Sequence, residues 1–468
     1  MQAKTAKHIK KKKPGSLSVI IVGCGKVGHT LTERLSGEGH DITIVDTNER
    51  VIANTAEVFD IMGVRGNGAS LSVLEEAGVR DADLVIAVTG SDELNLLCCT
   101  IARKAGSNLA AIARVRNPDY SGELPYLRQQ LGLSMIINPE MEAAREIVRM
   151  LSTPQALSIS PFSKGSAEII RFKIPKGNVL AGKKVMELDG IFRFGYLLCA
   201  VERGGEVSIP GGAFELHEGD EVSVIASARD AHRLFESIGM RGHAAHSCMI
   251  IGGGKSSYYL AQQLLARRMN VKIIERDRAR CEELSELLPE ALIICGDGGD
   301  EALLREEGIN TAEAFVALTG IDEENILLTL YAKRIEGLKT ITKVNRITFN
   351  DVIDGLDLGS VVYPKYITSE LITAYVRARS NTIGSNIETL YHMCDNRVEA
   401  MEFHISKDAP VIGVPLMKLR KKDSLLIACI NRGGKIFFPR GHDMLMAGDS
   451  VIVVSTHTGF RDVSDILA

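Results

Sequence analysis

The feature that most constrains this chain of 468 residues is that it carries one pattern twice. Near the start, Ser18-Val-Ile-Ile-Val leads into Gly23-Cys24-Gly25-Lys26-Val27-Gly28; much later, Ser247-Cys-Met-Ile-Ile leads into Gly252-Gly253-Gly254-Lys255-Ser256-Ser257. Gly23 and Gly252 are 229 residues apart, and so are the acids that close the next apolar run, Asp46 and Glu275. Gly66-Asn67-Gly68 returns as Gly296-Asp297-Gly298, and Ala87-Val-Thr89-Gly90-Ser-Asp-Glu-Leu-Asn95 returns as Ala317-Leu-Thr319-Gly-Ile-Asp-Glu-Glu-Asn325, both at an offset of 230. Further on, Arg203-Gly-Gly matches Arg432-Gly-Gly, and Gly219-Asp220 matches Gly448-Asp449. A register held to within about a residue through each half is a tandem duplication.

Each half has two parts. In the first, short β-rich runs (Val19–Val22, Ile42–Val45, Phe59–Val64, Leu84–Val88, Ala110–Val115, Met135–Ile137) alternate with helix-period segments (Lys26–Ser36, Glu49–Glu57, Leu71–Ala77, Glu93–Lys104, Tyr120–Leu131). This alternation predicts a Rossmann-like α/β domain, a parallel sheet covered on both faces. A helix from Glu140 to about Leu151 follows, with Met141, Ala144, Val148 and Leu151 on one face; its counterpart near Tyr366 carries Leu371, Ile372, Tyr375 and Val376. The second part of each half reads as a small β-rich α+β module, with Arg-Gly-Gly as a hairpin signal between two apolar runs. The expected order is a basic leader (1–16), a first nucleotide-binding lobe (17–158), a first β-rich lobe (159–245), a second nucleotide-binding lobe (246–385) and a second β-rich lobe (386–468).

Composition narrows the function. The formal net charge is −4, yet residues 1–16 hold six lysines and no acid, so the rest is more acidic still. An acidic body argues against a broad nucleic-acid surface. No run approaches a membrane span, and the leader lacks the apolar core of a secretory signal, which predicts a cytoplasmic protein. The leader itself reads as an unstructured start or as a basic arm for anionic lipid. The nine cysteines form no CxxC pair and no metal spacing, so free thiols are expected. His217, His232 and His243 in the first β-rich lobe form no catalytic pattern.

The chemistry lies in the glycine loop. Gly23, Gly25 and Gly28 follow a strand and open a helix, and Asp46 ends the next strand, which is the context a dinucleotide fingerprint requires. Gly23 permits the turn, Gly25 lets the backbone approach a pyrophosphate, and Gly28 lets the helix pack on the sheet with its amides facing the phosphates. Cys24 and Val27 complete the loop. Asp46 can accept both ribose hydroxyls and would repel a 2′-phosphate, which favours NAD over NADP. A glycine-rich turn without ligand is the bland alternative. Lys26 either neutralises a phosphate or is an exposed first-turn lysine; Arg114 either reaches a terminal phosphate or pairs with a local acid. Thr89 and Gly90 would border the adenine or its ribose, and Asn67 would flank the base. Asp92 and Glu93 read as first-turn acids that suit the helix dipole.

The second loop departs from the fingerprint, with Ser257 where the third glycine belongs. Gly252, Gly254, Lys255, Glu275, Asp297 and Thr319 are its candidate ligand residues, with Lys343 at the place of Arg114; a degenerate structural copy is the alternative. An NAD-dependent oxidoreductase would need an acid–base residue and a substrate anchor. Here each lobe is followed instead by the same small β module, and no HEXXH, GXSXG or P-loop signature occurs. The residues therefore point to a sensor and not an enzyme, with an oxidoreductase or a ligand-free interaction scaffold as competitors.

The order of GxGxxG, Asp46, Gly-Asn-Gly, Thr-Gly-Ser-Asp-Glu-Leu-Asn and Ala-Arg-Val-Arg-Asn, followed by the β-rich module and all repeated, resembles the TrkA family of Trk-system potassium uptake proteins, built from tandem RCK (KTN) domains. The resemblance covers nearly everything after residue 16. It implies a cytosolic regulatory subunit, held at the inner face of the cell membrane by a potassium-translocating partner and assembled as a homo-oligomeric dimer or tetramer ring. It also implies that NAD(H), ATP or ADP binds at the loops and changes the angle between lobes. Departures are the leader, Ser257, and Lys26 where single-repeat relatives often carry Arg.

Overall fold

A computed structural model describes residues 16–468 except 107, 154, 163–166, 228, 241–244, 346–355, 357, 382–386, 395–396, 458 and 461. Met1–Gly15 of the predicted leader, and His243, lie outside the described residues, as does the side chain of His232. The chain divides into two compact units. The first comprises residues 1–115, 123–137 and 371–385; the second comprises 116–122, 138–370 and 386–468.

In the first unit, β1 (Ser18–Val22), β2 (Asp41–Asp46), β3 (Met62–Arg65), β4 (Leu84–Ala87), β5 (Ala110–Arg114) and β6 (Met135–Ile137) form a sheet of order β3-β2-β1-β4-β5-β6. All described pairings in it are parallel. This is the doubly wound order, with its switch point between β1 and β4. The central strands are buried on both faces (Val19, Ile20, Ile21 and Val22 are at most 2% exposed), as a helix-covered parallel sheet demands. The covering helices are α1 (Lys26–Gly37), α2 (Glu49–Phe59), α3 (Leu71–Glu76), α4 (Asp92–Ala105) and α5 (Leu124–Gln130).

Two expectations need correcting. Phe59 ends α2 instead of opening a strand, because Asp60 caps that helix in the left-handed region (φ 50°) and β3 starts only at Met62. The helix expected over Tyr120–Leu131 is shorter: Pro118–Tyr120 is a 3-10 turn, and α5 starts at Leu124 with Pro125 in its first turn, where a missing N–H is harmless.

The first α-helix of the second unit is α6 (Pro139–Ser152), whose Ala143, Ala144, Ile147, Val148 and Leu151 are buried. An antiparallel sheet follows, of order β10-β9-β11-β8-β7: β7 (Ser158–Phe162), β8 (Ala167–Lys173), β9 (Tyr196–Arg203), β10 (Glu206–Ser208) and β11 (Glu221–Ser227), with α7 (Ala231–Ser237) after it. Then the first sheet's order repeats as β14-β13-β12-β15-β16-β17, from β12 (Ser247–Ile251), β13 (Asn270–Glu275), β14 (Leu292–Cys295), β15 (Ala314–Ala317), β16 (Lys339–Lys343) and β17 (Ser360–Val362). Its helices are α8 (Lys255–Leu265), α9 (Arg278–Leu287), α10 (Glu301–Glu306), α11 (Asp322–Ala332) and α12 (Pro364–Asn381). The last sheet, β18-β19-β22-β20-β21, repeats the antiparallel topology with β18 (Ile387–Met393), β19 (Val398–His404), β20 (Leu425–Arg432), β21 (Lys435–Phe437) and β22 (Ser450–Ser455).

Within the second unit, α6 packs along α8, so the apolar face that the first sheet does not use is spent on the second lobe. The mirror arrangement occurs in the first unit, where Ile372 and Val376 of α12 join the core that holds Leu31 and Leu35 of α1. Leu371, expected on that face, is 38% exposed. Arg377 of α12 also donates to Glu38 just beyond α1 (Nε to Oε2, 3.1 Å). The two antiparallel sheets share a core, in which Ile169, Cys199 and Ile225 meet Ala400, Ala428 and Ile452.

The repeated Arg-Gly-Gly is a hairpin turn with both glycines at positive φ (Gly204 58°, Gly205 84°; Gly433 59°, Gly434 83°), as a two-residue type I′ turn requires. Its arginine reaches the aspartate of the repeated Gly-Asp. Arg203 Nε and Nη2 lie 2.6 and 2.7 Å from the Asp220 carboxylate, and Arg432 Nε and Nη2 each lie 2.8 Å from that of Asp449. Both carboxylates are buried, and the fork is the bidentate geometry that buried Arg–carboxylate pairs favour.

Candidate functional site

Each glycine loop sits on the C-terminal edge of its sheet, at the switch point. Gly23 has φ +97°, and a Cβ there would stand 2.9 Å from Thr89 N, so the β1 and β4 loops touch through the absent side chain. Gly28 is more tightly held, since a Cβ on it would lie 1.9 Å from Gly23 O. Gly25 is the residue before α1 and gives no side-chain cap, and no acid occupies the first turn. The helix therefore presents uncapped N–H groups and its positive end. Lys26 is exposed beside them.

Asp46 is fixed by backbone donors. Its Oδ2 accepts Cys24 N at 2.8 Å and its Oδ1 accepts Asn48 N at 2.9 Å. Both oxygens keep lone pairs for a diol. Burial, and then the charge of Asp46, push the Cys24 thiol up to about 12, so Cys24 acts through its backbone and not as a nucleophile.

Across the switch point, Asn95 is fully buried. Its Oδ1 accepts Thr89 N (2.8 Å) and Thr89 Oγ1 (2.7 Å), and its Nδ2 donates to Arg114 O (2.9 Å). The Arg114 guanidinium donates to Thr89 O. Thr89 and Arg114 are thereby brought together beside exposed Gly90. Asn67 is exposed and closes its own turn, accepting Ala69 N at Oδ1 (3.0 Å). Asp92 and Glu93 stand in the first turn of α4, which Ser91 caps through Leu94 N (3.1 Å).

The second loop repeats this arrangement. Gly252 has φ +97°, Gly254 precedes α8 without a side-chain cap, and Lys255 is exposed. Glu275 accepts Gly253 N at 2.5 Å and Asp277 N at 2.8 Å. Thr319 N donates to Asn325 Oδ1 (2.8 Å), and Lys343 Nζ donates to Leu318 O (2.9 Å). Asp297 accepts Gly299 N (2.8 Å), as Asn67 accepts Ala69 N. Ser257 is fully buried and its Oγ has no hydrogen-bond partner, so the residue replacing the third glycine contributes no polar contact. Arg280 donates to Gly253 O (2.7 Å), which sets a cation against the second loop at a position where the first copy has Val51.

The family model for the TrkA-N domain matches residues 19–139 and 248–364, and that for the TrkA-C domain matches 169–239 and 400–468. A Trk system potassium uptake protein TrkA homolog 1 of Methanosarcina mazei is 30% identical over 455 residues, covering 96% of this chain and 99% of its own. The chain belongs to the TrkA family. Its TrkA-N domains are the parallel-sheet lobes and its TrkA-C domains fall on the antiparallel sheets. Among solved structures, the GsuK channel bound to NAD is similar in fold (TM-score 0.62, 19% identity, 94% of this chain and 77% of that one). GsuK bound to ADP matches more loosely (TM-score 0.51, 16% identity, 79% and 72%). The TrkA relative is named for a transport system and not for an enzyme, in agreement with the expectation that the chain is not an enzyme.

Sequence reasoning quoted the TrkA-N run that ends in Asn95 and Asn325 but gave those residues no role. Their retention in both copies was the available signal, because a buried amide must satisfy all its groups and does so only at one place in the loop geometry. Arg280 was also missed; nothing in the repeat marks a residue that one copy lacks.

Proposed function

We propose that this chain is the nucleotide-binding regulatory subunit of a potassium uptake system, binding NAD(H) or ATP/ADP at its glycine loops and controlling a membrane potassium-translocating partner. The observation that carries this reading is the first loop. An uncapped helix N-terminus, a positive-φ glycine and an acid whose two oxygens are oriented by loop N–H groups converge on one sheet edge. Gly23, Cys24, Gly25, Lys26, Val27 and Gly28 would cradle the phosphates, Asp46 would take the ribose, and Thr89, Gly90 and Asn67 would border the base. Arg114 would reach a terminal phosphate by releasing Thr89 O. Gly252, Gly254, Lys255, Glu275, Asp297 and Thr319 are the corresponding second set. The names of the TrkA relative and of the NAD- and ADP-bound GsuK structures support the same reading.

A nucleotide acts on the partner only through its differential affinity for two shapes of the subunit. ATP and ADP differ by one charged phosphate, so a basic side chain near the phosphates in one shape suffices to tell them apart. Among the described residues no helix is long and apolar enough to cross a membrane, so the membrane attachment is assigned to the partner. Titrating NADH, NAD, ATP and ADP separately into the purified protein, and following nucleotide consumption, tests the proposal. Saturable binding without turnover and recovery with a membrane protein are expected. Hydride transfer to a small carbonyl compound would support an oxidoreductase instead. No rise in melting temperature at about 100 times any plausible Kd, where about 2.7 kcal/mol is due, would support the ligand-free scaffold.

A further inference from the structure

Two cysteines border Glu275 beside the second loop. Cys281, in the first turns of α9, is buried and its Sγ donates to Glu275 O at 3.2 Å. Gly296 N donates to the same oxygen at 2.9 Å. Cys295, the residue before Gly296, ends β14 directly opposite Glu275 in the parallel register. The helix thus brings the Cys281 thiol to the carbonyl of the residue that Cys295 faces across the strands, so both cysteines border Glu275. Cys295 is exposed, whereas every other cysteine is buried. The first lobe has no such pair: Ile52 stands at the position of Cys281, and Arg65, opposite Asp46, at that of Cys295.

We propose that Cys281 and Cys295 are a redox-modification site, oxidised to a disulfide by a low-molecular-weight disulfide, and that closing it weakens ligand binding at the second glycine loop alone. The exposed Cys295 thiolate attacks one sulfur of the oxidant, forming a mixed disulfide and expelling the first small thiolate. Cys281 sulfur then attacks Cys295 sulfur and expels the second. Two protein thiols are oxidised, one small disulfide is reduced to two thiols, and the two thiol protons go to solvent or to the departing thiolates. The order follows from access and from acidity. Cys281 is pushed up to about 11 by burial first, then by Cys295 and the charges of Glu275 and Asp277, so it is the resolving and not the attacking thiol.

The link to the loop is Glu275. Its carbonyl loses the Cys281 donor when the disulfide forms, and its carboxylate is what holds Gly253 N and Asp277 N. This half of the proposal rests on the nucleotide reading above; the disulfide does not.

The test treats the full chain with oxidised glutathione, blocks remaining thiols and digests with trypsin. Peptide 281–305 holds both cysteines and should become lighter by two hydrogens. ADP and NAD titrations before and after oxidation should show second-site affinity falling about tenfold and returning with dithiothreitol, while the first site stays unchanged. Cys281→Ser should stop at a glutathione adduct on Cys295 and keep its second-site affinity. A wild-type adduct on Cys295 with Cys281 still free overturns the proposal, and so does a complete disulfide with unaltered second-site affinity. Absence of nucleotide binding before oxidation sinks the nucleotide reading instead, and with it the effect on the second loop, while the peptide mass still decides the disulfide.

Discussion

The side chain of Glu275 fills the space that a Cβ on Gly253 would need. Such an atom would stand 3.0 Å from both Cγ and Oε2 of Glu275 and 2.7 Å from Leu284 Cδ1. In the first copy the same place holds Cys24, and the acid is the shorter Asp46, whose Oδ2 takes the Cys24 N–H at 2.8 Å. Loop residue and acid are thus matched in size within each copy: a side chain with the short acid, none with the long one.

Gly253→Ala should therefore push Glu275 off its backbone donor and weaken nucleotide binding at the second loop by about tenfold, or about 1.4 kcal/mol. Adding Glu275→Asp should restore part of the loss, because it removes the methylene that collides. Calorimetric titration of the single and double variants measures the coupling. Equal affinities for both variants would show that the pairing is incidental.

The third position of the fingerprint differs between the copies in the same spirit. Gly28→Ala places an atom 1.9 Å from Gly23 O and should cost about 1–3 kcal/mol by overpacking, read as a lowered Tm. Ser257→Ala should raise stability by up to about 1 kcal/mol, since it removes a buried hydroxyl without a hydrogen-bond partner.

Much of this was legible in the sequence because it is local. The glycine loop, the acid closing the next strand and the Arg-Gly-Gly turn are each set by a few adjacent residues whose backbone angles admit little else. What was not legible is set by distant partners. Strand β19 buries Glu399 and Glu402 (6% and 3% exposed) among its apolar residues, which erases the alternation a strand should show. Strand β7 contains Pro161 and, among the described residues, pairs only with β8, as an edge strand can. Neither was expected. The apolar faces of α6 and α12 were evident from their spacing, but the surfaces that cover them lie in the other copy of the repeat, more than 100 residues away along the chain.

The Arg203–Asp220 and Arg432–Asp449 pairs make stability fall in acid. Burial alone would raise each aspartate, but the arginine fork and the backbone N–H of His217 or Met446 outweigh it, holding both carboxyls below the ordinary carboxylate range. A folded-state pKa below the unfolded one adds stability that is present above the unfolded pKa and lost as pH falls through the folded one. Chemical denaturation followed from neutrality down to about pH 3 should show that loss. Arg203→Ala should cost about 1–3 kcal/mol at neutral pH, since the arginine is partly exposed and Asp220 keeps the His217 N–H, and Arg203→Ala with Asp220→Asn should cost less.

Asn95 organises the first site without needing to touch a ligand. Asn95→Ala would leave Thr89 N without its acceptor and Arg114 O without its side-chain donor, at a cost of about 1–3 kcal/mol. Ligand affinity at the first loop should fall as Thr89 loosens, while the second loop, held by Asn325, keeps its own. Hydrogen exchange at the Thr89 amide, measured with the titration, separates this local loosening from global unfolding.

The most direct measurement is the titration of Asp46→Ala against the unaltered chain with NADH, NAD, ATP and ADP, counting sites per chain. The account predicts that the unaltered chain binds at least one of these saturably and that Asp46→Ala loses first-loop affinity about tenfold or more while remaining folded. Undiminished affinity and unchanged stoichiometry in the variant would contradict it.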